Sequence, residues 1–97
     1  MKELQSTEEL IEVARRVIWF DEPEETLKRP VRFLTYVMRY GTESDLIILE
    51  RAGVGLPEFK EALAEAPAGI MDRRSWDYWH LKCGITNIPE LPVRYLG

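Results

Sequence analysis

From Leu10 to Ile18 the apolar residues Leu10, Val13, Ala14, Val17 and Ile18 recur three and four positions apart, the period of one helical face. Glu8, Glu9, Glu12, Arg15 and Arg16 fill the opposite side, and Glu12 and Arg16 stand four apart in the order that favours an ion pair. Ahead of this stripe lies Ser6-Thr7-Glu8-Glu9, in which the Ser6 hydroxyl is placed to cap the helix and Glu9 to complete a capping box. Trp19-Phe20-Asp21-Glu22-Pro23 ends the helix, because proline disfavours the helical conformation in the residue before it. Pro23 to Leu27 has room for one short turn. Lys28-Arg29-Pro30 then opens a second firm helix with proline in its first turn, where a missing amide hydrogen costs nothing. Its apolar face is Phe33, Leu34, Val37, Met38 and Tyr40, with Tyr36 at the margin, and Gly41 is suited to a left-handed cap.

Thr42 or Ser44 is positioned to cap a helix from Asp45 to Ala52. The Leu46-Ile47-Ile48-Leu49 run within it also fits a buried strand, but the cap signals and Gly53 favour helix. Pro57 opens a further helix that ends before Pro67, with Phe59, Ala62, Leu63 and Ala66 inside. Asp72 caps a last helix from Arg73 to Lys82, closed by Gly84. Beyond it, Pro89 and Pro92 impose an extended course, yet Ile85, Ile88, Leu91, Val93, Tyr95 and Leu96 are too apolar for a solvated linker. The pattern predicts an all-α fold, a compact bundle of four to six short helices. A single helical domain covers 1–84, and an extended proline-containing tail, 85–97, packs on that domain or on a partner.

Composition narrows the function classes. A chain of 97 residues divided in two would leave each half too small for a core, and 45% apolar residues suffice for one. The net charge of −4 works against general affinity for nucleic-acid phosphates or anionic membranes. No stretch reaches the roughly 18 apolar residues of a membrane span. Cys83 is the single cysteine and has no partner for an internal disulfide, and the polar, acidic Met1 to Glu9 lacks the apolar run of a signal sequence. The expected location is the cytoplasm.

Chemistry-bearing residues are few. Trp76, Trp79, His80 and Cys83 share one helical face, which fits either core anchors or a partner-binding hot spot. Asp77, His80 and Cys83 are spaced by three, so the outer two diverge by roughly 120° around the helix and do not converge on one metal ion. With no second histidine or cysteine, no metal site, cofactor or nucleophilic pair is expected, and the chain reads as a non-enzyme. Gly53-Val54-Gly55 lacks the further glycine and lysine of a phosphate loop. Asp45 to Ala52 and Pro57 to Ala66 have the layout of a helix-turn-helix, but Glu58, Glu61 and Glu65 against Lys60 would repel phosphates. A small DNA-binding transcriptional regulator is therefore the alternative reading, with its nucleic-acid contact at Lys28, Arg29 and Arg32 and with Arg73 and Arg74 as further cations. Pro89-Glu90-Leu91-Pro92 has the bare spacing of a proline-rich ligand, a match short enough to arise by chance.

Three stretches carry a resemblance: Trp19-Phe20-Asp21-Glu22-Pro23-Glu24-Glu25, Arg32-Phe33-Leu34-Thr35-Tyr36-Val37-Met38-Arg39-Tyr40-Gly41-Thr42, and Pro67-Ala68-Gly69-Ile70-Met71-Asp72-Arg73-Arg74-Ser75-Trp76-Asp77-Tyr78-Trp79. Over about Val17 to Gly84 the chain resembles a family of small helical bacterial proteins encoded beside nucleotidyltransferase toxins of the abortive-infection type. That resemblance implies a protein-interaction module, the antitoxin or partner of such a toxin, and brings no catalytic residues with it. The residues expected to meet the partner are Trp76, Tyr78 and Trp79, with Leu91, Tyr95 and Leu96 as a clasp. A homodimer is a further outlet for surplus apolar surface.

Overall fold

The helices begin on residues that satisfy their free amide hydrogens, and those residues set the element boundaries. The computed structural model describes residues 1–93. Within them lie α1 (Glu8–Val17), α2 (Pro23–Leu27), α3 (Pro30–Tyr40), α4 (Glu43–Arg51), α5 (Leu56–Ala64) and α6 (Arg73–Lys82), with no strand among the described residues. The cap of α1 is Thr7 rather than Ser6: its hydroxyl accepts from the Leu10 amide at 3.2 Å, which puts Glu8 and Glu9 in the first turn at the positive end of the helix dipole. Thr42 caps α4, accepting from Asp45 N–H at 3.3 Å while the Asp45 carboxylate accepts from Thr42 N–H at 2.9 Å. That reciprocal box settles Leu46-Ile47-Ile48-Leu49 as helix. Asp72 caps α6 by accepting from the Ser75 amide at 2.9 Å.

The centre of the molecule is α3. Phe33, Leu34, Thr35, Val37 and Met38 are all buried, and the helix packs on α1, α2, α5 and α6. Thr35, the polar member of that set, donates its hydroxyl to Val31 C=O at 2.7 Å, so nothing polar is stranded there. Tyr40, expected on the inner face, is 56% exposed. It follows Arg32 and Tyr36 at steps of four along the side of α3 that no other helix covers.

Gly41 ends α3 without the left-handed cap expected of it, since its φ is −69°. Space is the constraint instead. A β-carbon there would lie 2.6 Å from the Val37 carbonyl oxygen and 2.9 Å from Val37 Cγ1, a clash with backbone. Left-handed glycines do close α4 and α6, at Gly53 (φ 85°) and Gly84 (φ 80°).

The fourth helix packs on α1 rather than on α5, so the two helices of the presumed helix-turn-helix are not a packed pair. An ion pair fastens it. Arg16 donates to both carboxylate oxygens of Asp45, one of them at 3.1 Å, and Asp45 is 1% exposed. Arg16 therefore reaches across to α4 instead of pairing with Glu12, which takes Arg15. Burial pushes the Asp45 pKa up, but the Arg16 hydrogen bonds and charge and the Thr42 amide outweigh it and hold the carboxyl below its ordinary value of 3.8.

After Gly84 the chain folds back. Ile85 N–H donates to His80 C=O at 2.8 Å, Ile88 and Leu91 are partly buried against the core, and Pro89 C=O accepts from the Trp76 indole N–H at 2.8 Å. The described part of the tail thus lies on the helices.

Two substitutions test this account. Arg16→Met strands a buried carboxylate, and equilibrium unfolding at pH 7 should show a loss of about 3 kcal/mol. Because the Asp45 pKa is depressed in the folded chain, its contribution is present above the unfolded value near 3.8 and fades as pH falls through the lower folded value. The cost of Arg16→Met should therefore shrink below about pH 4; an equal cost at pH 3 and pH 7 would contradict the assignment. Thr26 is buried and its hydroxyl has no hydrogen-bond partner among the described residues, so Thr26→Val should raise unfolding stability by about 1 kcal/mol.

Candidate functional site

The aromatic side chains of α6 do not form a surface together. Trp76 and Trp79 are 2% and 5% exposed. Trp79 packs on Phe59 with ring centroids 4.8 Å apart, and its indole N–H donates to Met38 C=O at 2.9 Å, joining α6 to the end of α3. Each indole is thus an internal anchor with its polar atom satisfied, Trp79 by a core helix and Trp76 by the tail that lies over it. Of that trio only Tyr78, 56% exposed, faces outward, with Lys82 beside it. Leu91, in the tail, is partly buried against the core, and Tyr95 and Leu96 lie outside the described residues.

Nor do the chemistry-bearing residues converge. His80 is buried, and its Nδ1 lies 2.7 Å from the Trp76 carbonyl oxygen, where a nitrogen must carry hydrogen to bond. Burial, the leading effect, pushes the Cys83 thiol pKa up against the opposing pull of Lys60 and Lys82, the reverse of an activated nucleophile. Among the described residues, no group of three or more His, Cys, Asp or Glu side chains is arranged to hold a metal ion. No described helix is long and apolar enough to cross a membrane.

The basic stretch is interleaved with acids. Lys28 pairs with Glu25 at 3.2 Å and Arg32 with Asp21 at 2.7 Å, leaving Arg29 as the one exposed cation of the three without an ion pair among the described residues. A phosphate backbone would have to displace those carboxylates.

The surface feature that stands out was not singled out by the sequence pattern. Ile18 is fully buried and Pro23 starts α2, so the link between them must turn away from the core, which leaves Trp19 79% and Phe20 51% exposed. Across from them stand Tyr36 and Tyr40 on the open side of α3. The four rings form a continuous row: Trp19 meets Phe20 edge-on at 5.5 Å, Phe20 meets Tyr36 at 6.0 Å, and Tyr36 stacks on Tyr40 at 6.2 Å. Arginines fix the row. The Arg32 guanidinium lies 5.7 Å from the Phe20 centroid and 5.3 Å from that of Tyr36, and Arg39 lies 4.6 Å from that of Tyr40. By binding Asp21, Arg32 also ties the α1–α2 link to α3. Together with Arg16 and Val17 the four rings line a shallow recess of about 380 Å³.

Such a row has no nucleophile and no acid–base pair. It presents large, rigid apolar surface to water, flanked by guanidinium groups, which is the composition of binding hot spots. No protein-family model matches the chain, and no curated protein or solved structure matches it either.

The two kinds of tryptophan should separate in unfolding experiments. Trp19→Ala should change stability by no more than about 0.5 kcal/mol, whereas Trp79→Ala should cost about 3–5 kcal/mol. A large loss from Trp19→Ala in urea denaturation would make the row a structural element instead of a free surface.

Proposed function

We propose that the chain is a non-enzymatic protein-interaction module that docks a partner protein on the Trp19–Phe20–Tyr36–Tyr40 face. The observation that carries this reading is the row itself: Trp19, Phe20 and Tyr40 are exposed and are joined through Tyr36, which packs partly on the core. Exposed aromatic area of this kind is unfavourable in water unless it is covered part of the time. Tyrosine and tryptophan lose few rotatable bonds on contact.

As the partner we propose a nucleotidyltransferase-type toxin encoded beside this chain, with the chain as its antitoxin. The support is the resemblance combined with where its residues lie. Two of the three stretches that carry it, 19–25 and 32–42, supply Trp19, Phe20, Asp21, Arg32, Tyr36, Arg39 and Tyr40, which build the face. The third stretch supplies the buried Trp76 and Trp79.

The test is co-expression of the full chain with the neighbouring nucleotidyltransferase, followed by affinity capture and titration. Wild-type chain should retain the toxin and suppress its activity. Trp19→Ala with Tyr40→Ala should weaken binding at least about a hundredfold at unchanged helicity, since hot-spot truncations cost about 2 kcal/mol or more each. Capture unaffected by that double variant would remove the face from the interaction, and no capture at all would remove the toxin as partner.

A further inference from the structure

A second recess lies on another side of the molecule. Lys60, Leu63 and Ala64 of α5, Ala66 beyond it, and Trp76 and His80 of α6 form its walls, and the chain's own Pro89, Glu90 and Pro92 border it. The segment on it is extended and carries two prolines, as the sequence pattern led one to expect, and it is held in a specific way. The Trp76 indole N–H donates to the Pro89 carbonyl, and Ile88 and Leu91 press on the core. An indole donor reading a backbone carbonyl beside proline, on an aromatic-lined groove, is the physical basis on which extended proline-rich ligands are recognised: such a segment is already stiff, so ordering it costs little.

The fit is incomplete. About 360 Å³ remains open between the segment and the α5–α6 wall. Lys60, at its edge, has no ion pair among the described residues. The segment is joined to α6 by a short link, so it competes for its own seat at an effective concentration of roughly millimolar, and a ligand that binds more tightly than that displaces it.

The geometry points to the α5–α6 groove as a recognition site for an extended segment of a partner protein with the pattern aliphatic-Pro-acidic-Leu-Pro, residues 88–92 being its intramolecular stand-in. Trp76 supplies the carbonyl donor, the unfilled recess takes a bulkier apolar side chain than the stand-in offers, and Lys60, which Glu90 of the stand-in does not pair with, is left for an acidic group on the partner segment. This site is separate from the aromatic row and does not depend on it.

The probe is a fluorescein-labelled peptide, Ile-Thr-Asn-Ile-Pro-Glu-Leu-Pro-Val, with a control in which the second isoleucine and the leucine are serine. Both are titrated by fluorescence anisotropy into the full wild-type chain and into a full chain carrying Ile88→Ser and Leu91→Ser. The peptide should bind the double variant at least tenfold more tightly than wild type, because the competing segment has been weakened, and the control should bind neither. Equal binding of peptide and control to the double variant would overturn the proposal. Should that variant lose helicity, amide spectra of the wild-type chain decide: at about 1 mM peptide the Ile88 and Leu91 signals should move while the Trp76 indole N–H keeps its bonded position. Signals that stay in place would also overturn it. Trp19→Ala should leave peptide binding unchanged.

Discussion

The structure depends on one 11-residue helix being enclosed by four others. Because α1, α2, α5 and α6 all rest on α3, its side chains have almost no freedom in what they face. Phe33, Leu34, Val37 and Met38 must be apolar, Thr35 must bond within its own turn, and Tyr40 is the one residue of the helix left mostly in water. The chain must then leave α3 abruptly to start α4, which is why position 41 has no room for a side chain. On the flank of α1, α4 sends Leu49 into the core and packs Leu46 and Ile48 partly against it. The Arg16–Asp45 pair and the Thr42 box add polar fastening to that apolar contact.

The last helix works differently. Its two tryptophans supply bulk, but each also spends its one hydrogen-bond donor on a distant carbonyl, Met38 in one case and Pro89 in the other. A phenylalanine at either site would fill much the same space and leave that carbonyl unanswered. The same residues that sequence logic nominates for partner contact are thereby committed to the interior, and the aromatic surface is made elsewhere, from a link and the free side of α3.

Most of the secondary structure was legible in the sequence because caps and apolar spacing act locally. The boundaries of α6, from the Asp72 cap to Gly84, follow directly from residues within two turns of each end. What was not legible depends on the assembled fold. Periodicity counts Tyr40 as apolar, and only the crowding of the other sides of α3 decides that it faces out. Glu12 and Arg16 satisfy the rule for a pair within one helix, yet a buried carboxylate on α4 offers Arg16 a better partner than an exposed glutamate does. Trp19 and Phe20 read as the end of a helix, and nothing local distinguishes an exposed aromatic pair from a buried one. Their proximity to Tyr36 and Tyr40 spans 16 to 21 positions of chain and appears only once α1 and α3 are side by side.

The Trp79–Met38 hydrogen bond joins residues 41 positions apart. For a chain made from its amino terminus, α3 leaves the ribosome well before the helix that closes over it, and until then the Met38 carbonyl lacks its indole donor. Helices α1 to α3 have their mutual contacts available early, and with them the row of rings on their outer side. Every residue of the row proposed for partner contact therefore precedes α6 in the chain, and a partner present during synthesis would meet all four rings before the helix that closes the core has been made.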